Sequence, residues 1–145
     1  MKLESPAIVG DKKIPKRFSC QGMDVNPPLQ IEDIPKGAKS LALVMDDPDS
    51  PIGSWVHWIA FNIPVTDKIE ENCHLGRPGV NDFGLRYYSG PCPGENVHHY
   101  SIRLYALDTE LQLKAGIGKK TLEKAMEGHV LNKAELVGLY EREAN

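Results

Sequence analysis

Apolar residues alternate with polar ones along several segments of this chain, with the two-residue period of β-strands. The strongest strand candidates are "SLALVM" at residues 40–45 and "VHWIAFNIP" at residues 56–64. The second segment is apolar on both faces, which predicts a central strand. One face carries Val56, Trp58 and Ala60, and the other carries His57, Ile59, Phe61 and Ile63.

The same patterns predict two further strands and one helix. "SIRLYALD" at residues 101–108 alternates clearly, and "ELVGLYE" at residues 135–141 alternates more weakly. "KKTLEKAMEGHVL" at residues 119–131 has the three-and-four spacing of an amphipathic helix. Its apolar stripe consists of Leu122, Ala125, Met126, His129 and Val130. Several strands with one late helix favour a β-sandwich with a peripheral helix.

Composition narrows the class of protein. The chain has 145 residues, 41% hydrophobic and 26% charged, as in ordinary globular proteins. Glycines and prolines lie mostly between the periodic segments, so we predict one domain, residues 1–145. The net charge of −3 argues against nonspecific nucleic-acid binding. We find neither a signal-peptide core nor an apolar run of membrane-spanning length, so we expect a cytoplasmic protein without stable membrane attachment.

The cysteines allow two interpretations. Cys20, Cys73 and Cys92 are too few and too widely spaced for a disulfide framework, and no CxxC pair suggests structural zinc. Three unpaired thiols are the simplest interpretation for a cytosolic protein. One disulfide with one free thiol is the alternative that the spacing leaves open.

Two polar segments stand out from the strand pattern. In "MDDPDSP" at residues 45–51, Asp47 and Asp49 fall on one side of an extended chain and Asp46 on the other. In "YYSGPCPGENVHHY" at residues 87–100, a Gly and Pro loop leads into a strand. Alternation there puts His98 and Tyr100 on one face. Backbone N–H groups in such a loop can form an anion-binding nest.

A candidate anion site combines these segments with His57. Carboxylates beside His57 and His98 would favour the imidazolium forms, and the imidazolium, phenol and loop N–H groups would converge as donors. Each residue also has a plainer interpretation. A single His57 among apolar neighbours is more often a core residue, and the aspartates alone are typical of a turn. We expect His129 to pack on the helix stripe and His74 and His99 to lie on the surface.

Six motifs then resemble one family in order and spacing. They are "DDPDSP", "WVHW", "GVNDFG", "GPCPG" followed by "HHY", "LYALD", and "AMEGHVL" followed by "AELVG". Together they resemble the bacterial and archaeal branch of the phosphatidylethanolamine-binding protein family, which also includes the Raf kinase inhibitor proteins. The resemblance implies a β-sandwich of two antiparallel sheets with one or two peripheral helices and a small anion pocket at one end.

The resemblance also implies specific site residues. Its ligand-binding positions match Asp47, Asp49, Pro51, His57, Gly90, Pro91, His98 and Tyr100. His99 stands where relatives usually have arginine. Because Cys20 and Cys92 both lie in motifs near the expected pocket, we hypothesise that they form a disulfide and that Cys73 stays free.

From the resemblance we expect a noncatalytic protein that binds a phosphate-like anion or a phosphorylated small molecule or segment, with no cofactor. Inhibition of a kinase or a serine protease, and a homodimer, are further expectations. Ser89 lacks the strand-to-helix elbow of a serine hydrolase. The alternative is a hydrolase that uses Asp and His, or a metal-dependent enzyme built on Asp47, Asp49, His57 and His98.

Overall fold

The structure, a computed structural model, describes residues 1–144. Its longer elements form where the sequence is periodic, and short strands and one turn of 3-10 helix fill the segments between them. The strands are β1 (Lys2–Glu4), β2 (Leu29–Glu32), β3 (Ser40–Asp47), β4 (Trp55–Ile63), β5 (Lys68–Ile69), β6 (Arg77–Pro78), β7 (His98–Leu107) and β8 (Val130–Tyr140). The helices are the 3-10 turn Lys16–Phe18 and α1 (Lys119–Met126).

The strands form two antiparallel sheets. The smaller sheet has the order β1-β2-β5, and the larger has the order β6-β4-β3-β7-β8. The predicted β-sandwich with a late helix is therefore confirmed. The weakly predicted last strand is also confirmed, although β8 begins five residues before the predicted start.

Hydrophobic residues cover both faces of the larger sheet. Between the sheets, Leu29 and Ile31 of β2 pack with residues such as Leu43 and Ile102. On the opposite face, Val44 and other apolar residues pack under Leu122 and Met126 of α1. Since β3 is the middle strand of this sheet, all eight of its residues are buried. Continuous burial explains its nearly continuous apolar sequence.

The prediction of which β4 residues share a face is partly wrong, because the strand contains bulges. Met45 of β3 pairs with Trp58 and Asp46 pairs with Val56, so β4 has an extra residue, His57, at this point. An extra residue reverses the alternation on one side of the bulge. As a result Val56 joins Ile59 in the core beneath α1, whereas Trp58 lies between the sheets.

The helix is shorter than predicted. It ends at Met126, and the chain turns at Gly128, which has a φ of 80°. A positive φ is accessible to glycine and stops the helix there. Val130, predicted on the apolar stripe, instead pairs with Leu107 at the start of β8. His129, also predicted on the stripe, places Nδ1 2.8 Å from Asp108 Oδ1.

The structure also tests the hypothesis of a disulfide and the search for a membrane-spanning segment. Cys20 and Cys92 are joined by a disulfide that closes a separation of 72 residues, and Cys73 is free. Across residues 1–144, no helix has both the length and the apolar character needed to cross a bilayer.

Candidate functional site

A cavity of about 250 Å³ opens where β3 ends and where β4 and β7 begin. Both neighbouring strands run antiparallel to β3, so their first residues lie beside its last one, Asp47. Sheet geometry thus brings together residues that are about ten to fifty positions apart in sequence. The lining residues are Asp47, Ser50, Pro51, Ile52, Trp55, His57, Phe83, Cys92, Pro93, Gly94, His98 and Tyr100.

Asp47 orients His98. The Nδ1 atom of His98 lies 2.7 Å from Oδ2 of Asp47, and the side chains are 12% and 6% exposed. A carboxylate only accepts, so Nδ1 carries a proton and Nε2 is the nitrogen left for a ligand. The other oxygen, Oδ1, accepts the Asp49 N–H at 2.8 Å. When His98 is protonated, it forms a nearly buried ion pair with Asp47 and can donate from Nε2.

His57 differs from His98 in its surroundings. Its Nδ1 lies 2.7 Å from the carbonyl oxygen of Ser89, so this nitrogen also carries the proton. Burial lowers the pKa of His57, and the backbone of Ser89 and the charge of Asp47 oppose this shift less strongly. The expected imidazolium form of His57 is therefore disfavoured in the free protein. In its neutral form, Nε2 is an acceptor.

Tyr100 supplies a donor without an acceptor. The residue is 0% exposed, and its hydroxyl has no hydrogen-bond partner among residues 1–144. Burial, and after it the charge of Asp47, raises the pKa of the Tyr100 phenol, so the hydroxyl stays protonated. The Cys92 backbone opposes this rise in pKa, but it does not form a hydrogen bond with the hydroxyl. The ring centroid lies 5.3 Å from His57, edge to face, and 6.4 Å from His98, stacked.

The other two aspartates of the "MDDPDSP" segment, Asp46 and Asp49, have separate roles. Asp49 does not line the cavity. Its Oδ2 accepts a hydrogen bond from the backbone N–H of His99 at 2.7 Å and lies 2.6 Å from Nδ1 of the His99 ring. These bonds lower the pKa of Asp49. Asp46 lies on the opposite face, where its carboxylate accepts bonds from Arg103 and Lys119.

Gly90 and Pro91 stand behind the cavity wall and do not line the cavity itself. The Gly90 N–H already donates to Asp24 Oδ1 at 2.6 Å, and the Pro91 carbonyl accepts from Cys20 N–H at 3.0 Å. The predicted loop donor at Gly90 is thus occupied by a protein acceptor. A Cβ atom at Gly90 would lie 2.0 Å from the Phe18 carbonyl oxygen, which explains why glycine is needed.

Sequence reasoning missed two residues that hold the site in place. Asp24 anchors Gly90 across 66 residues, and no local signal in the sequence could indicate this contact. Asn81 is buried and donates to the His57 carbonyl and to Ser89 Oγ, at 3.1 and 3.0 Å. Its Oδ1 accepts the Phe83 N–H. The position of Asn81 within the "GVNDFG" turn could have indicated this role, because asparagine side chains often bond to the backbone in turns.

An apolar rim and a nearby cation were also missed. Ile52 is 76% exposed and Phe83 43% exposed at the cavity. Phe83 packs edge to face against Trp55, with ring centroids 5.5 Å apart. On the other side, Arg142 donates to the Pro93 carbonyl at 2.9 Å, and its guanidinium lies 3.4 Å from Cys92 Sγ.

The acidic and imidazole groups are paired with each other rather than grouped around one point. Over the described range 1–144, no cluster of three or more His, Cys, Asp or Glu side chains has an arrangement suited to a metal ion. Asp49 in particular is directed to His99 and not to the His57 and His98 side chains. The four-residue metal site considered from sequence is therefore not assembled here.

The sheets and this cavity define a class: a β-sandwich protein with a small pocket at the ends of its central strands that contains Asp47, His57, His98 and Tyr100. The family model for phosphatidylethanolamine-binding protein matches residues 4–141, and this chain belongs to that family. A UPF0098 protein of Pyrococcus horikoshii is 49% identical, over 98% of this chain and 78% of the relative. Another, from Methanothermobacter thermautotrophicus, is 47% identical, over 98% of this chain and 99% of the relative.

Solved structures agree with this assignment. A phosphatidylethanolamine-binding protein homologue from Chlamydia trachomatis superposes with a TM-score of 0.94 at 40% identity, covering 98% of this chain and 97% of that one. YbcL of Escherichia coli, described as a new member of the mammalian family, superposes with a TM-score of 0.88 at 25% identity. It covers 98% of both chains.

Proposed function

We propose that this protein binds a phosphate-like anion, carried by a small phosphorylated molecule or segment, and does not transform it chemically. The cavity formed by Asp47, His57, His98 and Tyr100 is the binding site. The observation that carries the proposal is the buried Tyr100 hydroxyl without a partner. A buried donor without an acceptor is costly, and an anion in the cavity would satisfy it.

The surrounding groups support an oxyanion rather than a neutral ligand. Protonated His98 would donate from Nε2 while Asp47 balances its charge across 2.7 Å. The Arg142 guanidinium lies beside the cavity wall at Cys92, where it attracts negative charge. The cavity volume of about 250 Å³ suits a phosphoryl group with a small substituent.

The bonding of Ser89 favours a binding role over hydrolysis. The Oγ of Ser89 accepts from Asn81, and His57 contacts the Ser89 carbonyl oxygen instead of its hydroxyl. A nucleophilic serine needs a base within hydrogen-bond reach of its hydroxyl. Inhibition of a kinase or serine protease stays a prediction; such a target would contact the exposed rim of Ile52 and Phe83.

The test is calorimetric titration of wild type and Tyr100→Phe with inorganic phosphate and O-phosphoethanolamine. Loss of one hydrogen bond to a charged group costs about 1.5–3 kcal/mol, so we expect affinity to fall by roughly tenfold or more. The Tyr100→Phe variant should be at least as stable as wild type, because the substitution removes a buried hydroxyl that has no hydrogen-bond partner.

Tyr88→Phe is the matched control. The Tyr88 hydroxyl donates to the Phe18 carbonyl at 2.7 Å, and Tyr88 does not line the cavity. This variant should lose about 1 kcal/mol of stability and keep wild-type affinity, because the Gly90–Asp24 and Cys20–Pro91 hydrogen bonds and the disulfide at Cys92 still hold the loop in place. Absence of saturable phosphate binding to wild type, or equal affinity in Tyr100→Phe, would overturn the proposal.

A further inference from the structure

The disulfide at the cavity wall is open to solvent. Cys20 and Cys92 are bonded to each other, and both residues are exposed. Cys92 also lines the cavity that contains His98 and Tyr100. Exposed disulfides are the labile or regulatory ones, since a thiolate from solution must reach one of the two sulfur atoms to break the bond. A reductant can therefore reach a bond that belongs to the wall of the candidate site.

A guanidinium group lies against both sulfur atoms. Nη2 of Arg142 is 3.4 Å from Cys92 Sγ and 3.7 Å from Cys20 Sγ. Among residues 1–144, no carboxylate lies within salt-bridge distance of Arg142. A disulfide is neutral and leaves the charge of Arg142 unbalanced. A thiolate at the same place would pair with this charge, and a neighbouring cation favours the thiolate over the thiol.

Contacts other than the disulfide keep Arg142 in this position. Its Nε donates to the Pro93 carbonyl at 2.9 Å. The next residue, Glu143, is held by the side chain of Gln21, which accepts from its N–H and donates to its carbonyl, both at 2.9 Å. Arg142 therefore stays beside the sulfur atoms when the bond between them is broken.

The backbone also keeps the two cysteines near each other without the disulfide. The Cys20 N–H donates to the Pro91 carbonyl at 3.0 Å, directly before Cys92 in sequence. The Gly90 N–H donates to Asp24 Oδ1 at 2.6 Å and holds the same two loops together. Since both bonds are independent of the sulfur atoms, the reduced thiols remain placed to form the disulfide again.

We propose that the Cys20–Cys92 disulfide undergoes exchange with a dithiol and that its redox state sets the affinity of the adjacent cavity for an anion. This inference rests on the anion binding proposed above. Arg142 favours Cys92 as the leaving group, because it lies closer to Cys92 Sγ and a better stabilised thiolate leaves faster.

The exchange takes two steps. A thiolate of the dithiol attacks Cys20 Sγ, the disulfide breaks, and Cys92 departs as a thiolate. The second thiolate of the reductant then attacks the mixed disulfide at the reductant's own sulfur and releases Cys20. The dithiol is oxidised to a disulfide by two electrons, which the protein gains. Of its two protons, one ends on Cys20 and the other passes to solvent, while Cys92 remains a thiolate beside Arg142.

Reduction lowers the net charge beside the cavity by one. In the oxidised protein the wall sulfur is neutral, and Arg142 attracts an anion. In the reduced protein the Cys92 thiolate balances Arg142 and faces a bound anion with like charge. The carboxylate in the cavity lining, Asp47, is already paired with His98. The oxidised protein should therefore bind anions more tightly than the reduced protein.

Calorimetric titration of the full chain with inorganic phosphate, before and after reduction with dithiothreitol, tests the proposal. We expect the dissociation constant to rise by roughly tenfold or more on reduction, and to recover when the dithiol is removed and the disulfide forms again. Linkage requires the reciprocal effect. Phosphate that saturates both forms should lower the reduction potential of the disulfide, by about 30 mV for a tenfold difference in affinity.

Three variants separate charge from other effects of reduction. Arg142→Gln should lose most of the difference between the two redox states, because the thiolate is no longer favoured. The double variant Cys20→Ser with Cys92→Ser should give one affinity with and without dithiol. That affinity should exceed the affinity of reduced wild type, since serine carries no charge. Cys73→Ser should keep the full redox response, because Cys73 is a free thiol outside the cavity lining.

The possible failures are distinct. Equal phosphate affinity of oxidised and reduced wild type would overturn this inference and leave anion binding in place. So would a disulfide that excess dithiol does not reduce in the folded protein. A full redox response in Arg142→Gln, or a double serine variant that binds as weakly as reduced wild type, would overturn the role of charge. Absence of phosphate binding in both redox states would overturn the proposed function, and this inference with it.

Discussion

At the scale of single residues, the two pocket histidines differ in the group that accepts the hydrogen bond from Nδ1. His98 faces a carboxylate and His57 faces a carbonyl oxygen, both at 2.7 Å. Both contacts keep the proton on Nδ1, but only the carboxylate compensates a positive ring. The cavity therefore combines a potential cation at His98 with a neutral acceptor at His57.

This difference predicts how binding depends on pH. Burial lowers the pKa of His57 below its usual 6.5, so its ring stays neutral where a free histidine would protonate. A neutral His57 Nε2 accepts a hydrogen bond, which a singly protonated phosphoryl group can donate. A phosphomonoester gains that proton near pH 6, so affinity for O-phosphoethanolamine should rise as the pH falls through about 6.

Calorimetry in two buffers of different ionisation enthalpy would detect the accompanying proton uptake. Methyl sulfate is the control ligand, because it has no proton to gain in this range and its affinity should depend less on pH. An O-phosphoethanolamine affinity that stays constant from neutral to mildly acidic pH would contradict this account of His57.

At the scale of elements, the cavity wall depends on one loop pinned to another. Residues 88–91 are held against residues 18–24 by three hydrogen bonds, from Tyr88 to Phe18, from Gly90 to Asp24 and from Cys20 to Pro91. The disulfide at Cys92 adds a covalent link. These contacts hold the carbonyl of Ser89 where it can orient His57.

Substituting Gly90 should disturb this contact between the loops. In Gly90→Ala the new Cβ would lie 2.0 Å from the Phe18 carbonyl oxygen, so the two loops must separate. Overpacking of this kind costs about 1–3 kcal/mol of unfolding free energy, which urea denaturation would measure. Phosphate affinity should fall as well, because the wall that positions His57 moves.

Gly94→Ala is the matched control in the same loop. No atom lies within 4 Å of a Cβ at Gly94, although this residue lines the cavity. Its stability should stay within about 0.5 kcal/mol of wild type. Equal stability of the two alanine variants would show that the loop approach at Gly90 does not constrain the fold.

At the scale of the whole molecule, the disulfide links distant parts of the chain. Cys20 precedes β2 and Cys92 follows β6, and the two cysteines are 72 positions apart in sequence. The loop that the disulfide closes therefore contains β3 and β4. In the chain-entropy model, a loop of this length restricts the unfolded state by about 4 kcal/mol. Reduction should therefore lower the unfolding free energy by about 2–4 kcal/mol, as measured by urea denaturation with and without a dithiol.

Two variants separate this effect from general effects of the reductant. The double variant Cys20→Ser with Cys92→Ser should have low stability that no longer responds to dithiol. Cys73→Ser should keep the full response, because Cys73 is a free thiol. Wild type that unfolds identically in both conditions would contradict the predicted role of the bond.

Local patterns in the sequence were enough to predict the class of the fold and the types of side chain in the site. Segments that became β3, β4 and β7 carry their apolar periodicity locally, and each periodicity reports burial without reference to distant residues. Alternation also correctly put His98 and Tyr100 on one face, with stacked rings. The family motifs named Asp47, Pro51 and His57, which the structure places in the cavity lining.

Which atoms of those residues remain available depends instead on contacts between distant parts of the chain. Asp49 bonds to His99, Gly90 N–H to Asp24, and neither partner follows from local spacing. The bulge at His57 depends on how β4 pairs with β3, and the end of α1 on a glycine turn that allows β8 to begin. Hydrogen bonds are satisfied by competition among all groups that folding brings within reach. A sequence therefore specifies the candidates, and three-dimensional packing specifies which of them, such as the Tyr100 hydroxyl, stays without a partner.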